Sequence, residues 1–224
     1  MTGLGLPLIA VPVIATFTSV EEAVVLMIIP TLGSNLWLVA AHRRYAGLVR
    51  VHLPFLIAGF LGGIFGTFAL AAIDDRWLKL ALATWLALYL LQFAFGNILQ
   101  PVFQAKGTAA AAVGFSSGAI QGATGISAHI VAPYFHTRKV TAEAYAFLIA
   151  CAFLTFSAAQ LMTATGTSLF SPERLLLGTV ALVPTLIFTR LGIKFAGRIS
   201  QEAFQKLLIA LFILMEIKLL ADVF

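Results

Sequence analysis

The chain has 224 residues, of which 61% are hydrophobic and only 10% charged, with a mean hydropathy of +1.01. A soluble domain carries roughly 45–50% apolar and about 25% charged residues. So few charges cannot cover a water-facing surface, which excludes soluble enzymes, nucleic-acid binders and disordered modules despite the net charge of +5. In a lipid-embedded chain a basic excess instead gathers in cytoplasmic loops and reports orientation.

A membrane span needs about 20 apolar residues to cross a hydrocarbon core of roughly 30 Å. Six stretches qualify, at about 22–41, 53–73, 77–96, 143–165, 175–197 and 203–222. Before them, residues 3–17 are apolar but short for a span; between the third and fourth, residues 108–136 are too long for one straight span and are interrupted at Gly122-Ala123-Thr124-Gly125. Ser19 and Glu22 have capping-box spacing at the start of the first span. Asp75 before Trp77 and Ser200 before the last span read as further N-caps, and Ser171-Pro172 as an N-cap followed by proline at the first helical position. Pro30 and Pro184 fall inside spans, where each bends the helix and frees a carbonyl. Trp77 fits an interfacial anchor. No basic stretch follows Met1, so no cleavable signal is expected, and the single Cys151 permits no intrachain disulfide.

Loop charges set the expected topology. Arg43, Arg44 and Arg50 place the 42–52 loop in the cytoplasm, Asp74-Asp75-Arg76 outside, and Pro101 to Lys106 inside again. His136-Thr137-Arg138-Lys139 and the Lys194 to Arg198 loop are both basic. They share the inner side only if residues 108–136 enter and return as a hairpin of two half-helices, with Thr124-Gly125 at its tip. Non-helical backbone at that depth is tolerated only where protein or a polar cavity surrounds it.

The two halves also resemble each other. Thr2-Gly3-Leu4 recurs as Thr124-Gly125-Ile126, each running to a proline (Pro12, Pro133); Glu22-Ala23 matches Glu143-Ala144, and Gly66 answers Gly192. Matched loops carry opposite charge: acidic Thr18 to Glu22 against basic Arg138-Lys139, and Asp74-Asp75 against Lys194 to Arg198. The expected fold is therefore all-α, a polytopic membrane protein of two inverted repeats, each a re-entrant or broken helix plus three transmembrane helices. Residues 1–100 form the first repeat, 101–107 a connecting loop and 108–224 the second repeat. The arm at 108–122 has no counterpart upstream of Met1, so the first repeat is expected to lack its first half-helix. Inverted repeats built around interrupted helices characterise secondary transporters.

Gly3-Leu4-Gly5-Leu6-Pro7 running into Val11-Pro12, with Gly114, Gly118, Gly122 and Gly125 running into Ala132-Pro133, resembles the TauE/SafE sulfite exporter family over nearly the whole chain. The chain departs from that pattern at the missing first arm and at Ser127-Ala128-His129, where the family is richer in glycine. The resemblance implies a multi-pass protein of the bacterial inner membrane that exports or takes up small sulfur-containing or carboxylate anions, such as sulfite, sulfoacetate or related organosulfonates.

The residues themselves lead to a similar place. A half-helix starting at a re-entrant tip points free N–H groups inward, and such an end carries about half a positive charge and binds anions. Thr124 or Ser127 would cap the second arm, with Thr2 and Gly3 in the inverted equivalent, and Gly3 and Gly5 are the substrate-binding candidates of the first half. Two such N-termini meeting from opposite sides would hold a small anion without a buried lysine or arginine. The C-terminal end of the first arm, at Gln121-Gly122, opposes this unless it is capped or angled away. The glycines either permit close helix packing or let backbone approach substrate. Asn35 and Gln121 either bond between helices or line a cavity, and His129 packs neutrally, donates to the anion or carries a proton. Arg190 snorkels to the cytoplasm or lines an inner vestibule. Gly114-Phe115-Ser116-Ser117-Gly118 matches a nucleophile elbow, but that motif needs a strand-to-helix turn, and no segment reads as a strand.

The expected activity is a secondary transporter for small sulfur-containing anions working by alternating access. The alternatives are an anion channel and, less favoured, an intramembrane serine protease with His129 or His136 as base. No enzyme activity, metal or cofactor is expected. The expected partners are the lipid bilayer, the anion, a coupling H+ or Na+ and a second copy in a homodimer.

Overall fold

The computed structural model describes residues 5–95, 104–195 and 201–223. Every regular element among them is helical: α1 (Gly5–Ala15), α2 (Val20–Ala41), α3 (Leu53–Ala72), α4 (Asp75–Phe95), α5 (Gly107–Thr124), α6 (Ala128–His136), α7 (Ala142–Thr165), α8 (Pro172–Phe195) and α9 (Gln201–Val223). A 3-10 turn at Arg43–Tyr45 and one helical turn at Leu48–Val51 lead from α2 into α3. The six long helices coincide with the six apolar stretches. Among the described residues α2, α3 and α7 are each long and apolar enough to cross a membrane. Thr2, Gly3, Pro101, Arg198 and Ser200 lie outside the described residues.

Local chemistry explains the boundaries. Ser19 Oγ accepts the Glu22 N–H at 3.0 Å, and Glu21 and Glu22 add negative charge where the α2 dipole is positive. Thr141 Oγ1 accepts the Ala144 N–H at 3.3 Å for α7, and Ser171 Oγ accepts the Arg174 N–H at 3.1 Å for α8, ahead of Pro172. Asp75 does not cap its own helix as the sequence suggested. It is the first residue of α4, and its carboxylate accepts the Val20 N–H of α2 at 2.7 Å, 55 residues away in sequence. The Lys79 ammonium holds the other oxygen at 3.1 Å.

The apolar stretch at 108–136 is two helices. α5 stops where Gly125 turns left-handed (φ 72°), donating its N–H to the Gln121 carbonyl at 2.8 Å, and α6 starts three residues later. A side chain at Gly125 would be strained by that backbone and would also press on Val11 and Val24. The Arg138 guanidinium donates to the Ala105 carbonyl, so the entry of α5 and the exit of α6 lie at one end of the bundle. Arg44 pairs with Glu143 at that same end, where Tyr45 OH donates to Glu143 at 2.8 Å. At the other end Arg174 pairs with Glu21 at 2.6 Å.

Backbone meets backbone where α5 packs on α3. A methyl group at Gly62 or Gly66 would overlap the carbonyl oxygens of Phe115 or Ala119, and one at Gly114 or Gly118 those of Phe55 or Gly59. The glycine pattern at 114, 118 and 122 is thus accounted for by close packing, the usual role of small residues between helices in lipid. Phe156 fills the space beside Gly59. The most buried of the three spanning helices, α7, contacts α2 and α3, while α2 also contacts α1 and α8, and α4 pairs with α9.

Candidate substrate site

Among the described residues, buried polar side chains and hydrogen bonds gather at the break between α5 and α6. Gln121, Thr124, Ser127 and His129 are all buried there among apolar side chains. Buried amides and carbonyls need partners, and neighbouring helices supply them. Gln160 of α7 donates to the Gln121 carbonyl at 3.0 Å, and Trp85 Nε1 of α4 donates to the Ile126 carbonyl at 2.8 Å. The Gln121 amide donates to the Gly125 carbonyl at 3.0 Å and accepts the Ser127 hydroxyl at 2.9 Å. Thr124 Oγ1 donates to the Ile120 carbonyl at 2.7 Å and receives the Ile126 N–H at 3.3 Å. The His129 ring lies edge-on to Trp85, with centroids 3.9 Å apart.

These bonds offset part of the negative end that α5 presents at the break, the last-turn carbonyl of Gln121 being one of those held. The carbonyls of Gln121, Gly125 and Ile126 each hold a donor. The start of α6 is treated differently. Ser127 occupies its N-cap position, but its side chain makes no capping bond and turns to Gln121 instead. Thr124 also bonds within its own turn. Neither residue caps the second arm as the sequence suggested, because Gln121 and the Ile120 carbonyl are better placed to bind their hydroxyls.

Of the residues singled out from the sequence, Gln121, Thr124, Gly125, Ser127 and His129 come together. Others stand apart. Gly5 opens α1, but what α1 sets against Gly125 is Val11, about 9 Å further along the helix axis. Asn35 is buried in α2 and donates to its own helix at the Thr31 carbonyl (2.8 Å); among the described residues neither its Oδ1 nor the buried Ser157 Oγ of α7 has a partner. Arg190 lies on an exposed seam between α8 and α2, with its guanidinium carbon 6.0 Å from the Trp37 ring centroid. Trp85 and Gln160 were missed. The signal for Gln160 was the one that picked out Asn35, an amide in mid-span, and a tryptophan away from a span end needs a partner for its N–H. The Gly114 to Gly118 pattern lies wholly inside α5, with Ser116 exposed and Ser117 donating to the Val113 carbonyl at 2.7 Å, so no elbow is formed.

A family model described as Sulfite exporter TauE/SafE matches residues 1–219. The chain belongs to that family. No curated protein and no solved structure matches it. The family is one of transporters, and with the apolar helices it makes this a multi-pass membrane protein.

Proposed function

We propose that the chain is a secondary transporter of small sulfur-containing anions, sulfite, sulfoacetate or related organosulfonates, working by alternating access between two inverted repeats in a bacterial inner membrane. One observation carries the anion reading. At the buried break the carbonyls of Gln121, Gly125 and Ile126 are each bound by a donor, while the N-terminus of α6 has no side-chain cap. The local field at such a tip favours negative charge.

Helix pairing supports the repeats. Exchanging α2 with α7 and α3 with α8 turns the α2–α8 contact into the α7–α3 contact, and both occur. The α2–α7 and α4–α9 pairs each map onto themselves. The capping residues Ser19 and Thr141 set the register, which puts Glu21, not Glu22, level with Glu143. Each of those glutamates pairs with an arginine of the other half, Glu21 with Arg174 and Glu143 with Arg44, at opposite ends of the bundle.

Purified protein in liposomes should take up labelled sulfite or sulfoacetate saturably and exchange it by counterflow under a proton or sodium gradient. No flux of any of these anions under either gradient would reject the proposal. Unitary currents in place of saturable counterflow would identify a channel.

A further inference from the structure

The seam between α2 and α8 carries a second feature, away from the helix break. Leu182 of α8 folds over Gly33 of α2, where a methyl group would come within 2.5 Å of its Cδ1. Beside it lies an open groove of about 220 Å³ lined by Gly33, Trp37, Leu186, Ile187 and Arg190. None of the residues at the α5–α6 break lines it. Its walls are apolar apart from the Arg190 guanidinium at one end. That group is exposed, and among the described residues no carboxylate pairs with it; the ion pairs there belong to Arg44, Lys79 and Arg174.

The depth and surroundings are informative. Trp37 lies one turn before the end of α2, and Arg190 a little over one turn before the end of α8, which puts both about 6–8 Å inside the helix ends. Next along the chain from α2 come Arg43 and Arg44, both exposed. The flanking surface of α8, Val183, Ile187, Phe188 and Leu191, is exposed and apolar, as a lipid-facing wall is. An uncompensated cation on such a wall is costly unless an anion reaches it. A small hydrophilic anion would have to shed water against an apolar wall. An amphiphile with an anionic head satisfies the guanidinium and the groove together, and basic pockets between membrane helices near the bilayer surface bind acidic head groups.

We propose that this groove is a binding site for an anionic phospholipid, its phosphate paired with Arg190 and the top of one acyl chain laid along Trp37, Leu186 and Ile187. The test uses the delipidated full chain in detergent with phosphatidylglycerol and phosphatidylcholine of identical acyl chains added in equal amounts. Native mass spectrometry should show one phosphatidylglycerol retained in preference to phosphatidylcholine, and phosphatidylglycerol should raise the unfolding temperature more. Arg190→Gln should cut the preference about fivefold, the effect of removing one interfacial basic residue, while Arg190→Lys and the loop variant Arg43→Gln keep most of it. Equal retention of the two lipids by the wild-type chain would overturn the proposal, as would a preference unchanged in Arg190→Gln. Stabilisation by inorganic phosphate or sulfite equal to that by phosphatidylglycerol would overturn it too, and would return the groove to the transported anion. If Arg190→Gln does not fold, the wild-type competition and the Arg190→Lys variant decide.

Discussion

Replacing Gly118 by alanine tests the backbone-on-backbone packing that holds the α5–α6 hairpin. The added methyl would overlap the carbonyl oxygen of Gly59, with the carbonyl carbon 2.7 Å and the Cα 2.9 Å away. Unstrained carbon contacts lie near 3.5–4.0 Å, so α3 and α5 would have to part by about 1 Å. The obstacle is backbone on both sides, so no rotamer change relieves it. Overpacking of this kind costs about 1–3 kcal/mol, and the upper end applies here. Alanine regains up to about 1 kcal/mol of helix propensity over glycine. The net loss is about 2 kcal/mol, or about 4–8 °C in unfolding temperature for a chain of this size. The assay is thermal unfolding followed by circular dichroism in detergent. Gly47→Ala is the control, since Gly47 has helical dihedrals (φ −58°, ψ −26°) and nothing within 4 Å of the added methyl; it should leave the midpoint unchanged or raise it. A Gly118→Ala midpoint equal to or above wild type, or an equal fall in both variants, would refute the reasoning.

Three further outcomes follow from the same structure. Gly125→Leu should abolish anion flux in liposomes while the protein still folds, because the left-handed turn and the contacts with Val11 and Val24 place the α5–α6 break; a folded, fully active variant would move the site elsewhere. Asp75→Ala should lower stability by about 1 kcal/mol, the usual cost of a lost N-terminal acceptor, with Asp75→Asn milder; equal melting of wild type and Asp75→Ala would show that the Val20 bond contributes nothing. His52, just before α3, is buried against Phe135 (centroids 5.2 Å apart), and that burial, helped by the nearby Arg138 charge, lowers its pKa below the ordinary histidine value. The unfolded chain then binds the proton first as pH falls through about 6.5, so this contribution to stability is complete above that pH and declines below it until the folded pKa is passed. His52→Gln should flatten the fall in melting temperature between about pH 7 and pH 5.5; an unchanged slope would assign the fall to other groups.

How much of this could be read from the sequence differs from residue to residue. Apolar runs near 20 residues located all six long helices, because in lipid a helix is the simplest way to satisfy every backbone group within one segment. Ser19, Thr141 and Ser171 act on N–H groups three residues away, and two of these caps, those at 19 and 171, were legible. Asp75 looked the same and is not, since its acceptor role depends on a helix 55 residues away. The glycines at 114, 118 and 122 announced that something comes close; only the packed structure shows that the close partner is the backbone of α3.

At the candidate site the sequence alone picked out Gln121, Thr124, Gly125, Ser127 and His129, because they are near neighbours along the chain and any break there must gather them. It also determined the helical class, the break at Gly125 and the uneven distribution of charge among the loops. Tertiary structure decided the rest. It brought Trp85 and Gln160 from α4 and α7 onto the carbonyls at the break, turned Ser127 away from its own helix, and left Asn35 and Arg190 elsewhere. The physical reason is range: capping, periodicity and hydropathy act within about one turn of helix, whereas which donor reaches a buried carbonyl depends on which helices pack together.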